Sequence, residues 1–238
     1  QRPFSYTPPT GFKAMNTYNY PRPADSSLWF YGDTPDLMWF KNRSVNASLC
    51  NFDTVRGTDL VLYTSGTYAD TGAGIFSDVN KFGFSAINNN NTGTNGSGHN
   101  FVYWGWKGGG NAVSGTGNLT SVMVSSNPSA GFSVVTYTGN GVTNAQFGHG
   151  LGVTPSMTII KNRSSGSEHW NVWHTSLGAQ TYYLFLETSD VTYTISNGRI
   201  QSLTSTMVTI GNNSELNTSG SLYVAYCWAA IPGYSAFG

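Results

Sequence analysis

Apolar residues in this chain come in short runs, and no window keeps three–four spacing without a Gly or β-branched interruption, so strands are predicted instead of helices. Met157-Thr158-Ile159-Ile160 is a brief apolar run after Pro155. Thr192-Tyr193-Thr194-Ile195-Ser196 alternates and then meets Asn197-Gly198, which tolerates positive φ at both turn positions; Arg199 to Leu203 returns, predicting a hairpin. Ser133 to Tyr137, followed by Thr138-Gly139-Asn140-Gly141, predicts a second strand and turn. Leu222 to Trp228 is apolar at every position, which predicts a strand covered on both faces, with Phe101 to Trp106 as its counterpart. Asn88 to Gly98 is polar and of low complexity, and reads as a surface loop.

The pattern repeats. Thr34-Pro35-Asp36-Leu37-Met38-Trp39-Phe40-Lys41-Asn42-Arg43-Ser44 recurs 120 residues later as Thr154-Pro155-Ser156-Met157-Thr158-Ile159-Ile160-Lys161-Asn162-Arg163-Ser164. Asp53-Thr54-Val55-Arg56-Gly57 answers to His174-Thr175-Ser176-Leu177-Gly178, and a Gly-aromatic-Ser step closes units at Gly131-Phe132-Ser133 and Gly233-Tyr234-Ser235. So long a period is that of a small domain. The expected fold is all-β, with two tandem related β-sandwich (jelly-roll or lectin-like) modules behind an extended arm. The divisions are 1–27, a Pro-rich arm or the end of a preceding module; 28–130, a first module with a truncated start plus a connector from Ala112 to Pro128; and 131–238, the second module. Gln1 in place of Met, and Gly11-Phe12 as an orphaned closing step, lead us to expect more chain upstream. The first module lacks room for the hairpin that precedes Thr154 in the second. Its edge is expected to be covered by the arm, the second module or a neighbouring chain, which points to oligomerisation.

Composition narrows the function. Charged residues make up 9% of the 238, with 11 basic balanced by 11 acidic, so phosphate neutralisation along a nucleic acid is not expected. No run approaches the ~20 apolar residues of a membrane span, and no basic-plus-apolar secretory leader is evident. Cys50 and Cys227 occupy non-equivalent positions and read as two buried thiols, with a disulfide between them as the alternative. Neither a cofactor nor a metal ion is expected. His169 and His174 have an odd spacing that places them on opposite faces of a strand, the segment from Asp70 to Asp78 lacks a dense oxygen-ligand pattern, and His149 between two glycines reads as a turn residue.

Candidate chemistry is sparse. Lys41 and Arg43, like Lys161 and Arg163, share one face of a strand, which suits either an anion contact or a strand end whose long side chains cover an apolar rim; duplication favours the second. The close carboxylate pairs Asp33/Asp36, Asp53/Asp59 and Asp70/Asp78 have no counterparts in the second module and read as turn residues, so no catalytic residue is assigned. Aromatics form 14% of the chain. Trp170, Asn171 and Trp173, with Tyr193 near its hairpin tip, carry the ring faces and amide that sugar binding uses, and the rings of Trp170, Trp173 and Tyr193 are expected to be exposed; the other aromatics read as core or contact residues.

Gly11-Phe12-Lys13-Ala14-Met15-Asn16-Thr17, the two Lys-Asn-Arg-Ser signatures, Asp53 to Gly57, Tyr68 to Phe76 and Tyr223 to Trp228 resemble a family of tailed-bacteriophage virion proteins described as tail-fibre-like or lectin-like. The resemblance covers nearly the whole chain and implies β-sandwich modules in an assembled virion. The expectation is a non-enzymatic tail-fibre, spike or surface-decoration component. It would be homotrimeric, sit on the virion surface among other virion proteins, and attach to a host through a surface glycan. A polysaccharide depolymerase and a secreted cell-surface filament subunit are the alternatives.

Overall fold

The structure, a computed structural model, describes residues 27–29, 34–72, 76–80, 83–86, 92–94, 96, 98–189, 193–194 and 199–238. The proposed arm, Asp33, the Asn197-Gly198 turn and most of the Asn-rich segment lie outside them. The strands, in chain order, are β1 (Ser27–Trp29), β2 (Leu37–Asn42), β3 (Cys50–Asp53), β4 (Leu60–Tyr63), β5 (Thr71–Gly72), β6 (Phe76–Asn80), β7 (Gly83–Ala86) and β8 (Phe101–Trp106). Then follow β9 (Val113–Ser114), β10 (Thr120–Asn127), β11 (Phe132–Thr138), β12 (Ala145–Gly148), β13 (Met157–Asn162) and β14 (Asn171–His174). The last are β15 (Tyr182–Phe185), β16 (Tyr193–Thr194), β17 (Ile200–Leu203), β18 (Met207–Ile210) and β19 (Leu222–Trp228). Among the described residues, helix is confined to one turn of α1 (Ser214–Asn217) and a 3-10 turn at Thr175–Leu177, and the fold is all-β as the patterning predicts.

One antiparallel frame occurs twice. A five-stranded sheet has the order β5-β4-β3-β2-β8, and β16-β15-β14-β13-β19 repeats that order inside an eight-stranded sheet. Registers repeat as well. Leu37 opposite Trp106 corresponds to Met157 opposite Trp228, and Cys50 opposite Tyr63 to Asn171 opposite Phe185. Two three-stranded sheets, β1-β7-β6 and β12-β18-β17, share a further order, each with a bulge, between Phe76 and Asp78 and between Ile200 and Ser202.

The repeated Lys-Asn-Arg-Ser text is a strand-end clamp. Asn42 Oδ1 accepts from the amides of Ser44 and Val45, and Asn162 Oδ1 accepts from those of Ser164 and Ser165. The serine hydroxyl then accepts from the start of the partner strand: Ser44 from the Asn100 amide, Ser164 from the Leu222 amide. An Asx turn thus both ends the strand and ties it to its neighbour.

Two segments sit differently from their patterning. β16 pairs with β15, and β17 pairs with β18, so the predicted hairpin partners belong to different sheets. Local alternation marks both strands but does not fix their partners, and an isolated hairpin is marginal in water. The presumed connector also carries structure: β9 and β10 extend the eight-stranded sheet beyond β11. Gly131 immediately precedes β11; its φ is +64° and an added Cβ would lie 2.4 Å from the Ala229 carbonyl oxygen, so the close approach to the end of β19 requires glycine.

β19 lies between β13 and β11, and every residue from Tyr223 to Trp228 is buried, as its unbroken apolar run predicts. On one side, Tyr137, Ile160, Tyr223 and Ala225 join Phe147, Val208 and Ile210 of the three-stranded sheet and Leu216 of α1. On the other, Ile159, Trp170, Val224, Tyr226 and Trp228 meet Leu37 and Leu62 of the five-stranded sheet. The two repeated sheets therefore share a core. Trp106 and Trp228 meet edge to face across it at 6.0 Å.

Within this core lies a polar knot. Arg56 Nε donates to Asp53 Oδ2 at 2.5 Å, and Arg56 Nη2 donates to Asn51 Oδ1 at 3.0 Å. From the opposite sheet the Tyr226 hydroxyl donates to Asp53 Oδ2 at 2.6 Å, with Asn51 Oδ1 2.9 Å away as a second acceptor. Arg163 Nε closes the rim on Asp70 at 2.6 Å, and the Asp70 amide donates to the Arg163 carbonyl. Burial disfavours the Arg56 charge, but Asp53 beside it more than offsets this, and its pKa is raised; burial also pushes the Tyr226 phenol well up. Arg56→Ala is expected to lose about 3–5 kcal/mol in urea unfolding, because it leaves Asp53 charged and buried. Tyr226→Phe should lose about 1.5–3 kcal/mol. Equal and small losses for both would show that the knot does not couple the sheets.

Candidate functional site

Trp170, Asn171 and Trp173 lead the expected sugar-binding set, and all three are buried, at 0%, 1% and 5% exposure. This corrects the expectation of exposed rings. Trp170 Nε1 donates to the carbonyls of Tyr63 and Gly66, both at 3.1 Å, so its indole is an anchor into the five-stranded sheet. Trp173 Nε1 donates to the Ala179 carbonyl on the other face. A tryptophan with its N–H matched and both faces packed offers no face to a pyranose. Tyr193 contributes backbone to β16 opposite Tyr183, and its side chain lies outside the described residues.

The repeated cations are structural where their contacts are given. Lys161 is fully buried, with Nζ donating to the carbonyls of Asn162 (2.7 Å) and Ser165 (3.4 Å). Lys41 donates to the Ala47 carbonyl. Arg163 holds Asp70, whereas Arg43 is exposed just past the end of β2. The aspartates do more than shape turns. Asp36 accepts from Lys107 Nζ, the Gly108 and Gly110 amides and Thr54 Oγ1, pinning the end of β8 to the start of β2. Asp53 and Asp70 belong to the inter-sheet knot. His149, expected as a turn residue, follows β12 and is buried: Nε2 donates to the Thr204 carbonyl and Nδ1 accepts from the Leu151 amide, and burial lowers its pKa. Cys50 and Cys227 are free buried thiols, as expected, and burial pushes them up to about 11 and about 12.

The densest chemistry sits where β14 and β15 meet α1 and the start of β17. His169 Nδ1 donates to Glu187 Oε1 at 2.6 Å, and Glu187 Oε2 accepts from the Trp170 amide at 3.3 Å. The His169 ring stacks on Phe185 at 4.0 Å between centroids. The Arg199 guanidinium lies 3.7 Å from the Tyr183 ring centre and 5.3 Å from that of Phe185, and Nη1 is ion-paired with Glu215. Asn171 Nδ2 donates to the same Glu215 oxygen at 3.4 Å, and Glu168 accepts from Ser214 Oγ at 3.1 Å. Burial lowers the Arg199 pKa, against the pull of the neighbouring Tyr183 and Glu168. Asn171 Oδ1 and Arg199 Nε are buried here without a hydrogen-bond partner. His169, Phe185 and Glu168 are half-buried at the cluster's edge, while the Glu187 side chain is only 5% exposed.

Sequence reading missed this cluster because it tested pairs of aspartates close in sequence. A readable signal existed: the chain has three glutamates, Glu168, Glu187 and Glu215, and all fall within the second repeat.

The chain belongs to the family described as Domain of unknown function (DUF7483), which matches residues 10–238. No curated protein and no solved structure matches it.

Lys161 gives this region a pH signature. Burial depresses its pKa from 10.5 to about 8, against the pull of Glu187, Glu168 and Asp70. Between those values the unfolded chain binds the proton that the folded chain releases, so stability rises with pH over that window. The buried thiols act in the opposite sense above their ordinary value of 9.0. The contribution is therefore isolated by comparison with Lys161→Met. At pH 7 that variant is expected to be more stable, by on the order of 3 kcal/mol less whatever the two carbonyl bonds contribute. The difference should narrow from pH 8 to pH 10. Chemical denaturation across this range tests it, and a pH-independent difference contradicts the assignment.

Proposed function

We propose that the chain is a structural and attachment component of a phage virion, a tail-fibre, spike or surface-decoration subunit that assembles with copies of itself and contacts a host surface glycan. The observation that carries this reading is the placement of charge. Arg56, Asp53, Asp70 and Arg163 bind one repeated sheet to the other, Lys107 and Asp36 fasten β8 to β2, and Arg199 and Glu215 lie beneath the surface. Ionised groups thereby act within the subunit, while Ser, Thr, Asn and Gly dominate the exterior loops. Such a surface makes short-range contacts with hydroxyl-rich polymers or sibling subunits, with no long-range steering. Several weak contacts on one particle would combine through effective concentration. The resemblance of the Lys-Asn-Arg-Ser and Tyr223 to Trp228 motifs to virion proteins supports the same reading.

One observation favours a second reading, polysaccharide depolymerase: three glutamates gather at one place in the second sheet. Glycoside hydrolysis uses two carboxyl groups set across a scissile bond. Here Glu215 is tied to Arg199 and Glu187 to His169, an arrangement suited to holding them in place.

Antibodies against the purified chain, used in immunogold microscopy of phage particles from the same source, should label the tail or the particle surface, and native mass spectrometry should give a trimer. Unlabelled particles reject the virion assignment. Incubation with the host's capsular polymer should leave its viscosity unchanged, and a progressive fall would favour the depolymerase.

A further inference from the structure

The two repeated sheets end differently. β19 lies between β13 and β11, whereas its counterpart β8 has β2 on one side and, among the described residues, no strand on the other. Burial follows the difference: every residue of β19 from Tyr223 to Trp228 is buried, and every residue of β8 is only half-buried. Backbone direction is the same in both. The Asn100 carbonyl accepts from the Arg43 amide, so even-numbered residues of β8 bond to β2, and the amides of Phe101 and Gly105 point the other way. Their counterparts on β19, Tyr223 and Cys227, pair with Tyr137 and Ser133 of β11. A sheet edge of this kind is a template for one more strand.

The repeat indicates which strand. The 120-residue shift that carries Thr34-Pro35 onto Thr154-Pro155 also carries Gly11-Phe12 onto Gly131-Phe132, the step that opens β11. Counted from Gly11, the first frame has the same length of chain ahead of Thr34 as the second has ahead of Thr154. Order within that length matches as well: β1 precedes β2 as β12 precedes β13, and β1 and β12 take the same place in their three-stranded sheets. Residues 12–18, which lie outside the described residues, occupy the sequence position that β11 occupies in the second frame.

We propose that the free edge of β8 is the docking surface for the chain's own segment from Phe12 to Tyr18, added antiparallel in the register of β11 on β19. The inference goes beyond the attachment reading and holds whatever the chain attaches to. Phe132 opposite Trp228 becomes Phe12 opposite Trp106, and Thr136 opposite Val224 becomes Asn16 opposite Val102. Phe132 and Trp228 meet at 5.2 Å between ring centroids, and Phe12 offers half-buried Trp106 the same cover. A slip of one residue moves Phe12 to the other face and loses it. The same chain can supply the strand, because residues 19–26 leave a longer link to β1 than residues 139–144 leave between β11 and β12.

The test cross-links the full chain. Thr136 and Val224 form a non-hydrogen-bonded pair, a class whose Cα atoms lie about 4.5 Å apart, within disulfide reach. Asn16→Cys with Val102→Cys should therefore oxidise to an intrachain disulfide, identified by peptide mass mapping of the monomer. Thr17→Cys with Val102→Cys, one residue out of register, should yield on the order of tenfold less. Amide exchange of the unaltered chain is the second measurement. Phe101 and Gly105 are expected to exchange as slowly as Tyr223 and Cys227. Met15→Pro, which removes a donor from the middle of the added strand, should speed exchange at Phe101 and Gly105 by on the order of tenfold or more and leave Tyr223 and Cys227 slow. Equal yields from the two cysteine pairs, no disulfide, or fast exchange at Phe101 and Gly105 in the unaltered chain overturns the inference. A disulfide joining two chains overturns it as well, and gives the edge to the arm of a second copy.

Discussion

The contact between the two repeated sheets is the constraint on which the other features depend. Each sheet is apolar on both faces, and such a sheet cannot leave either face in water. Here one face of each is satisfied by the other. The shared layer contains Leu37 and Leu62 on one side, with Ile159, Val224 and Trp228 on the other. Its apolar part would tolerate sliding, because hydrophobic contact has no direction. The buried Asp53–Arg56 pair removes that freedom: Tyr226 must meet Asp53, and Trp170 must meet the carbonyls of Tyr63 and Gly66. A buried charge that loses its partners is strongly penalised, so displaced packings are excluded. Apolar area supplies the attraction and the polar knot supplies the alignment.

Recurrence of the strand order separates positions that keep a common role from those that differ between the two sheets. The positions that recur in role belong to the backbone: Asn42 and Asn162 turning the chain, Ser44 and Ser164 catching the neighbouring strand, Asp53 and His174 each accepting an amide two residues on. Positions between these anchors are free to diverge once the turn chemistry and register hold. Lys41 and Lys161 show the range. Both donate to carbonyls of the turn that follows, yet Lys41 remains half-buried while Lys161 is sealed beneath the other sheet and has its pKa lowered.

Features encoded by neighbouring residues were legible in the sequence, and features set by distant ones were not. Leu222 to Trp228 announced a strand covered on both faces because a fully apolar run has no polar side to offer water. The Lys-Asn-Arg-Ser repeat marked equivalent strand ends because an Asx turn is a short-range device. The alternation around Tyr193 gave a strand but assigned the wrong partner, since a strand's partner is set by elements distant in sequence. Trp170 and Trp173 looked like sugar platforms because nothing local distinguishes an exposed indole from one anchored to carbonyls more than a hundred residues earlier, as Trp170 is. The glutamate cluster joins residues 168, 187, 199 and 215, brought together only by the sheet and the turn of α1.

Charge placement connects this architecture to a role. A chain with 9% charged residues has few ions with which to attract a partner from a distance. Those drawn into the inter-sheet knot are paired with one another, and paired ions attract a ligand weakly. On the attachment reading proposed above, recognition rests on short-range contacts of neutral polar groups. Hydrogen bonds of this kind act only at contact distance and discriminate mainly by leaving the wrong ligand's groups unpaired. On that reading the surface gains little from fast encounter and much from repetition. That is the regime in which many copies fixed on one rigid particle outperform a single tight site.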